Sequence, residues 1–392
     1  MKNTGNEILL SVVMPCLNEE ETLEPCVKKA FAAMKKMAIS GEVVISDNGS
    51  TDNSAALAKS LGARVVREPK AGYGNALMKG IKEARGKYVI MGDADESYDF
   101  SGIEGFVKLL EKGYDLVMGS RLRGEIRKGA MSLSHRLGNP VMTAILNLFY
   151  RTGISDVNCG LRAFTKEAFL KLNLKCGGME FASEFVVKAA KEKLKIAEIP
   201  ITLYKDGRSR PPHLRTFTDG WKHLRFLLIY CPTFLYMLPG AAMFAAGFFI
   251  LTRGLFIPFK IAHFTVDYHV NFLGALFAIT GFQICMFGLF ARSFAYIRGF
   301  DRHDNFIARY LKQFSLEKNA LIGLAAIGLG MVFFITILVK WILSDFGALF
   351  EVRKGIVGIT LIAIGCLHIS FSFLYSMLLM EYPFEAQSKD VS

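Results

Sequence analysis

Residues 86–100 read GKYVIMGDADESYDF. Positions 87–91 form a short run of strand-forming residues, and Asp93 and Asp95 follow at once, two apart, where such a strand would end. The acidic pair alone says little. With 14 Asp in 392 residues, chance supplies about half of one Asp-x-Asp, so the surrounding chain must carry its meaning.

Upstream, residues 8–14 are an apolar run that ends at Pro15, and Asn18 with Glu19, Glu20 and Glu21 opens an amphipathic helix to about residue 36. Acids in a first turn suit the helix dipole. Residues 42–46 read as a second strand, running into Asp47-Asn48-Gly49-Ser50-Thr51-Asp52; residues 63–67 read as a third. Lys70-Ala71-Gly72-Tyr73-Gly74 then forms a glycine-containing loop before another helix. Strands alternating with helices at this spacing predict a mostly parallel sheet, with its ligand crevice at the carboxyl ends of the strands. Pro15 to Glu19, Asp47, the glycine loop and the Asp pair all fall at such ends. Each also has a plainer reading: a turn and helix cap for residues 47–52, an ordinary loop for Gly72 and Gly74. The third glycine of a dinucleotide fingerprint and the Gly-Lys-Ser/Thr of a P-loop are both missing.

Downstream, residues 114–119 read as a strand entering an Arg-rich loop that holds Arg121, Arg123 and Arg127. MSLSHRLGNPVMTAILNLFYRTG (131–153) is apolar on more than one face but is broken by His135, Arg136 and Pro140. It is too interrupted to cross a bilayer. It reads either as a helix at the membrane interface or as a buried core helix.

Composition divides the chain. To about residue 225 it mixes charged and apolar residues as soluble α/β domains do, and long apolar runs dominate thereafter. Residues 216–230 read as an interfacial helix with Trp221 at headgroup level. Four stretches, at about 232–252, 270–291, 320–342 and 356–380, are long enough to span. The loop 292–319 holds six Lys/Arg, against two in 253–269 and two in 343–355. By the positive-inside rule the soluble part, the 292–319 loop and the C-terminus are cytoplasmic. His368 is the ionisable group deep in the spans, read as a helix–helix hydrogen bonder. The expected organisation is a domain over 1–215, an interfacial helix over 216–231 and a membrane domain over 232–392.

The net charge of +12 brings no nucleic-acid motif with it. The basic residues gather near the spans and in the Arg-rich loop, so anionic lipid and phosphate ligands are the indicated partners, with no nucleic acid. Seven cysteines without Cys-x-x-Cys spacing indicate neither a zinc site nor a disulfide framework. The short apolar run near the N-terminus ends in proline and reads as a first strand, not a signal peptide.

In combination, SVVMPCLNEE, ISDNGSTD, KAGYGNALMKGI and YVIMGDADESY resemble the nucleotide-binding half of family 2 glycosyltransferases, and within them the dolichyl-phosphate mannose synthase-like enzymes. The resemblance covers roughly residues 8–230. It implies an α/β GT-A (Rossmann-like, mostly parallel sheet) catalytic domain followed by an α-helical transmembrane domain. It implies Pro15, Glu19 and Asp47 at the nucleoside, and Lys70, Gly72 and Gly74 along the nucleotide. Asp93 would lie at ribose or metal and Asp95 on the metal, Mg²⁺ or Mn²⁺, whose hard oxygen ligands fit carboxylates. Some relatives place Gln as a further ligand where this chain has Ser97. In the acceptor-side block ISDVNCGLRAF, Asp156 would orient or deprotonate the acceptor, and Arg162 would hold it or the diphosphate; a buried Asp–Arg pair that only shapes the loop is the alternative. Arg208, Ser209 and Arg210 would close over phosphate oxygens, or touch lipid headgroups.

The function implied is transfer of one sugar, with inversion, from a nucleotide-sugar (UDP- or GDP-linked) to a polyprenyl (undecaprenyl or dolichyl) phosphate at the cytoplasmic membrane face. Arg121, Arg123, Arg162 and Arg208 would counter the two anionic reactants. A homo-oligomer is compatible with this. Two competitors stand beside it. A processive polysaccharide synthase would carry Gln-x-x-Arg-Trp, which neither Trp221 nor Trp341 completes. A transporter or scaffold with a nucleotide-sensing domain would not need the Asp pair.

Overall fold

The structure, a computed structural model, describes residues 7–209, 216–256, 259–261, 264–266, 268–298, 301 and 304–381. It divides into two compact units, Met1–Leu227 and Leu228–Ser392.

The first unit is built on a seven-stranded sheet of order β3-β2-β1-β4-β6-β5-β7. The strands are β1 (Leu10–Cys16), β2 (Gly41–Asp47), β3 (Arg64–Arg67), β4 (Tyr88–Met91), β5 (Leu116–Ile126), β6 (Arg162–Thr165) and β7 (Ile196–Leu203). β3, β2, β1 and β4 pair in parallel; β6 runs antiparallel between β4 and β5, and β7 is parallel to β5. The helices are α1 (Leu23–Lys36), α2 (Ser54–Ser60), α3 (Tyr73–Glu83), α4 (Glu104–Glu111), α5 (Leu133–Tyr150), α6 (Lys166–Leu172) and α7 (Phe181–Lys191). All of β4 and nearly all of β1 are buried, which is why these strands read as unbroken apolar runs instead of alternating ones. α1 buries one stripe, Leu23, Cys26, Val27, Ala30, Ala33 and Met34, at the spacing of an amphipathic helix.

Two expectations are corrected. β1 does not stop at Pro15 but continues to Cys16. Its ladder with β4 ends at the Val13–Met91 pair while pairing with β2 goes on, so the N–H that proline lacks falls past the β4 contact. The Arg-rich loop is not a loop: β5 runs on through Arg121 and Arg123 because β7 pairs with it on both sides of a register shift between Ser120 and Glu125. The helix expected within 131–153 is α5, and it runs on through Pro140, which lies on the exposed side of the helix, where the carbonyl it leaves without a donor can meet solvent.

In the chain order that follows, α8 (Thr216–Ile229) leads to α9 (Leu238–Phe256), α10 (His269–Ile297), α11 (Asn305–Gln313), α12 (Leu316–Leu343) and α13 (Val352–Glu381). A π-helical turn at Thr233–Met237 extends α9 toward its N-terminus. Four helices, Thr233–Phe256, His269–Ile297, Leu316–Leu343 and Val352–Met380, are long and apolar enough to cross a membrane. Glycines at heptad spacing seat them in pairs. Gly240 and Gly247 of α9 meet Gly281 and Gly274 of α10, while Gly254 lies against Asn271 and Gly288 against Met237: a Cβ on Gly247 would lie 2.3 Å from Ala278 N, and one on Gly281 2.3 Å from Phe244 N. On α12 and α13, a Cβ on Gly365 would lie 2.5 Å from Gly323 O. Lipid offers no hydrophobic gain to helix pairing, so close backbone approach supplies the contact. Arg292 binds Asp304 at 2.7 and 2.9 Å, and the same carboxylate caps α11. His368 does not hydrogen-bond through Nε2 to any described residue; its ring packs 6.0 Å from that of Phe282.

Candidate active site

The carboxyl ends of β1, β2 and β3 open into three loops that bond to one another. Asn18, in the left-handed region with φ 59°, donates its N–H to Ser50 Oγ and accepts from Thr51 N at 2.7 Å. Glu19 N donates to Ser54 Oγ at 2.8 Å. Asp47 Oδ1 accepts from Ser50 N, folding the 47–50 turn, while Asp52 turns the chain into α2 by accepting from Ser54 N and Oγ. Asn48 reaches across to the glycine loop, donating to the carbonyls of Glu68 and Lys70 and accepting from Gly72 N at 2.8 Å. Gly72 has φ 141° and a Cβ there would lie 2.3 Å from Gly177 O; one on Gly74 would lie 2.3 Å from Cys176 O. Both glycines therefore let the loop lie flat on residues 176–178, which Glu184 holds by accepting from Lys175 N and Cys176 N.

The acids lie where this crevice meets β4. Asp95 Oδ1 accepts from Ser97 N at 3.0 Å and from Ser97 Oγ at 2.5 Å. Its Oδ2 faces Arg208 Nη1 at 3.0 Å. Arg208 also grips Glu19 with both remaining nitrogens, Nε at 2.8 Å and Nη2 at 2.6 Å, the fork geometry that suits a carboxylate. Burial alone would lower the Arg208 guanidinium; the Glu19 hydrogen bond and the charges of Asp95 and Glu19 reverse this and hold it above its ordinary value. Asp93 Oδ1 accepts from Tyr73 Oη at 3.0 Å. Burial, then repulsion from Asp95, pushes the Asp93 carboxyl up to about 7.

On the other side of β4 stands a wall made by β5, the loop 154–161 and α5. Asp156 is fully buried and takes both Nε and Nη2 of Arg121, at 2.7 and 2.8 Å, as well as Arg121 N at 3.1 Å. Burial would lower Arg121 too, but Tyr98 and Asp156 keep it above its ordinary value. Arg123 is largely exposed and touches Glu198 at 3.3 Å. Glu198 also accepts from Ser155 N and Oγ.

Several predicted roles change once these contacts are known. Arg162 does not face a ligand: it has no exposed surface, and Nε, Nη1 and Nη2 donate to the carbonyls of Cys159, Ala182 and Val157. Asp156 is not a free base, because its carboxylate is held by Arg121, not by the Arg162 six residues on. Ser97 donates to Asp95 and so orients that carboxylate. Ser209 bonds Glu21 through N and Oγ, at 2.9 and 2.7 Å. Lys70 is exposed, and Pro15 is at the crevice end of β1. Arg210 lies outside the described residues. Asn48, Tyr73 and Tyr98, whose hydroxyl accepts from Gly160 N at 2.8 Å, were not singled out from sequence. Asn48 and Tyr73 lie inside motifs already read, beside the residues that drew attention. Burial pushes the thiol of Cys16 up to about 11 and that of Cys159 up to about 12, so neither is a nucleophile at neutral pH.

Residues 11–172 match the family model described as glycosyl transferase family 2, and residues 289–379 that of the family 2 C-terminal transmembrane region. The chain is 36% identical, over 96% of its length and 93% of the relative's, to the low-salt glycan biosynthesis hexosyltransferase Agl6 of Haloferax volcanii. The chain belongs to glycosyltransferase family 2. This glycosyltransferase is also 29% identical to AglJ of the same organism, over 71% of this chain and 91% of that one. Among solved structures it is similar to glucosyl-3-phosphoglycerate synthase from Mycobacterium tuberculosis, at 22% identity and TM-score 0.47, over 57% of this chain and 80% of that one. The glycosyltransferase is an integral membrane protein by its transmembrane-region match and its four apolar helices.

A divalent cation fits the glycosyltransferase's acids only in one way. Among the described residues no group of three His, Cys, Asp or Glu has metal-holding geometry, so a cage made of protein alone is not present. Asp93, raised first by burial and then by a neighbouring carboxylate, and Asp95, oriented by Ser97, are instead a sparse oxygen set of the kind that suits a cation shared with a phosphate ligand.

Proposed function

We propose that this glycosyltransferase moves one sugar from a nucleotide-sugar, UDP- or GDP-linked, to a polyprenyl phosphate at the cytoplasmic face of the membrane, with inversion, in glycan synthesis. The observation that carries the reading is the juxtaposition of the Glu19–Arg208–Asp95 cluster with raised Asp93, at the strand ends of a chain that also holds four membrane-crossing helices.

In this reading the three tied loops receive the nucleotide, Asp47 and Glu19 lying at the nucleoside and residues 70–74 along it. Asp93 and Asp95 would hold Mg²⁺ or Mn²⁺, which supplies charge neutralisation on the departing diphosphate. The acceptor phosphate oxygen forms the new bond to the anomeric carbon, and the bond to the diphosphate breaks with its electron pair leaving on the nucleoside diphosphate. A phosphate acceptor is already ionised at neutral pH, so no strong base is called for. That agrees with an Asp156 whose carboxylate is wholly engaged in orienting Arg121. Arg121, Arg123 and Arg208 counter the charge of two anions held together. The Lys/Arg excess of residues 292–319 supports the cytoplasmic orientation.

The test is a donor panel with the full-length protein, Mg²⁺ or Mn²⁺, and a short polyprenyl phosphate, following lipid-linked sugar. The expected outcome is product with one donor and its loss on chelation. Nucleotide binding without lipid-linked product from any donor would overturn the reading in favour of a sensor.

A further inference from the structure

α5 is amphipathic the wrong way round for a helix of a soluble domain. Its inward face carries three polar side chains beside the fully buried Leu146. Asn139 and Thr143 are 6% and 4% exposed, and with Asn147 they recur every fourth residue on one side of the helix. All three grip the loop that carries Asp156: Asn139 Oδ1 accepts from Asn158 Nδ2 at 3.0 Å, Thr143 Oγ1 from Val157 N at 3.2 Å, and Asn147 Nδ2 donates to Ile154 O at 2.8 Å.

Its outward face is apolar. Leu137 and Val141 are two residues from Asn139 and Thr143, about 200° around the helix, and are 66% and 57% exposed. Leu133 at 73% and Leu148 at 62% extend the stripe. Exposed cations flank it, Lys128 and Arg136 near one end and Arg151 at the other. An apolar stripe bordered by cations, in a protein anchored by four membrane-crossing helices, matches an anionic phospholipid surface.

We propose that the outer face of α5 seats on an anionic bilayer and that its inner face couples this seat to the Arg121–Asp156 pair, so that the loop 154–161 is held more firmly on a membrane. Arg121 is reached from the bilayer through three side chains and one loop. Asp156 and the asparagines are thereby positioning residues, acting through Arg121. The inference stands whatever the acceptor proves to be.

Amide hydrogen exchange on the full-length protein tests it, in nanodiscs holding one copy each and made of mixed phosphatidylglycerol and phosphatidylcholine, against detergent micelles. Residues 133–150 and 154–161 are expected to exchange at least fivefold more slowly in the nanodiscs. Leu137→Glu with Val141→Glu should abolish the slowing in both segments, whereas Leu170→Glu, on the exposed side of α6, should keep it. Leu137→Ser with Val141→Ser serves if the glutamates prevent folding. Equal rates in both media, or full protection in the double variant, overturn the seat. Slowing of 133–150 without 154–161 overturns the coupling. Equal protection in pure phosphatidylcholine overturns the anionic preference. Slowing that appears in micelles with added polyprenyl phosphate, or only in dimeric micelles, assigns the stripe to the isoprenoid or to a second copy and overturns the bilayer.

Discussion

The crevice at the ends of β1, β2 and β4 and the wall on β5, the loop 154–161 and α5 both carry buried charge, and they handle it oppositely. On the wall the buried charges are paired: Arg121 has both oxygens of Asp156, and Arg162 has three carbonyls. In the crevice Glu19 and Asp95 hold Arg208 between them, and Asp93 is left with its carboxyl raised to about 7. The difference separates frame from receptor. A closed pair fixes geometry, for Arg121 the geometry in which it would meet an anion, whereas carboxylates crowded without full compensation gain when a cation arrives.

The contrast is broken most directly at Asp95. Asp95→Ala is expected to lower the transfer rate by about 10²–10³-fold, measured as initial rates of lipid-linked sugar at saturating Mg²⁺ or Mn²⁺; a rate within twofold of wild type would remove Asp95 from the metal assignment. On the wall, Asp156→Ala leaves a guanidinium buried without its partner, so a stability loss of about 3 kcal/mol is expected, read as a lowered unfolding midpoint in detergent. Asp156→Asn, which cannot take the proton of a hydroxyl, is expected to retain more activity than Asp156→Ala; equal and complete loss in both would favour a base.

Packing sharpens the comparison at the next level. Gly281→Leu drives side-chain atoms into Phe244 N on α9 and is expected to cost about 1–3 kcal/mol, seen as a lowered melting temperature of the membrane unit with the α/β unit unchanged. The smallest effect concerns Glu42, a closed carboxylate away from the crevice, held by Arg64 at 3.0 and 3.1 Å and by Ser11 and Arg85 N. Burial opposes its ionisation, but these hydrogen bonds win and its carboxyl lies below the usual range. Its stabilisation is therefore complete above the unfolded carboxylate pKa and is lost as pH falls through the folded value. Wild type should lose midpoint stability on acidification below about pH 4.5 more steeply than Glu42→Gln; parallel curves would assign the acid sensitivity elsewhere.

The crevice was legible in sequence because its parts are local. An apolar run followed by Asp-x-Asp, a turn rich in Asp, Asn and Gly, and a glycine loop each declare themselves within a few residues, and parallel-sheet topology brings strand ends together as a rule. The wall was not. Arg121 and Asp156 are 35 residues apart, and nothing near Asp156 says that its partner is Arg121 rather than Arg162, which is closer in sequence. β5 hid behind Arg-Leu-Arg-Gly because pairing with β7, not local pattern, makes it a strand. α5 was ambiguous for a related reason: periodicity finds its two faces but does not say which one the fold buries.

What the sequence determined by itself was the family, the alternation of strand and helix, the acidic pair at a strand end and the four spans, all set by patterns shorter than an element and by hydrophobicity summed along a helix. Only the tertiary structure decided which charges are closed and which stand open. It gave Arg208 to Glu19 and Asp95, withdrew Arg162 into main-chain carbonyls, and turned the polar face of α5 inward. Such outcomes depend on desolvation and on fork geometry across distant segments, and neither acts until the chain has folded. GKYVIMGDADESYDF announced a strand and two acids; folding raised one and oriented the other.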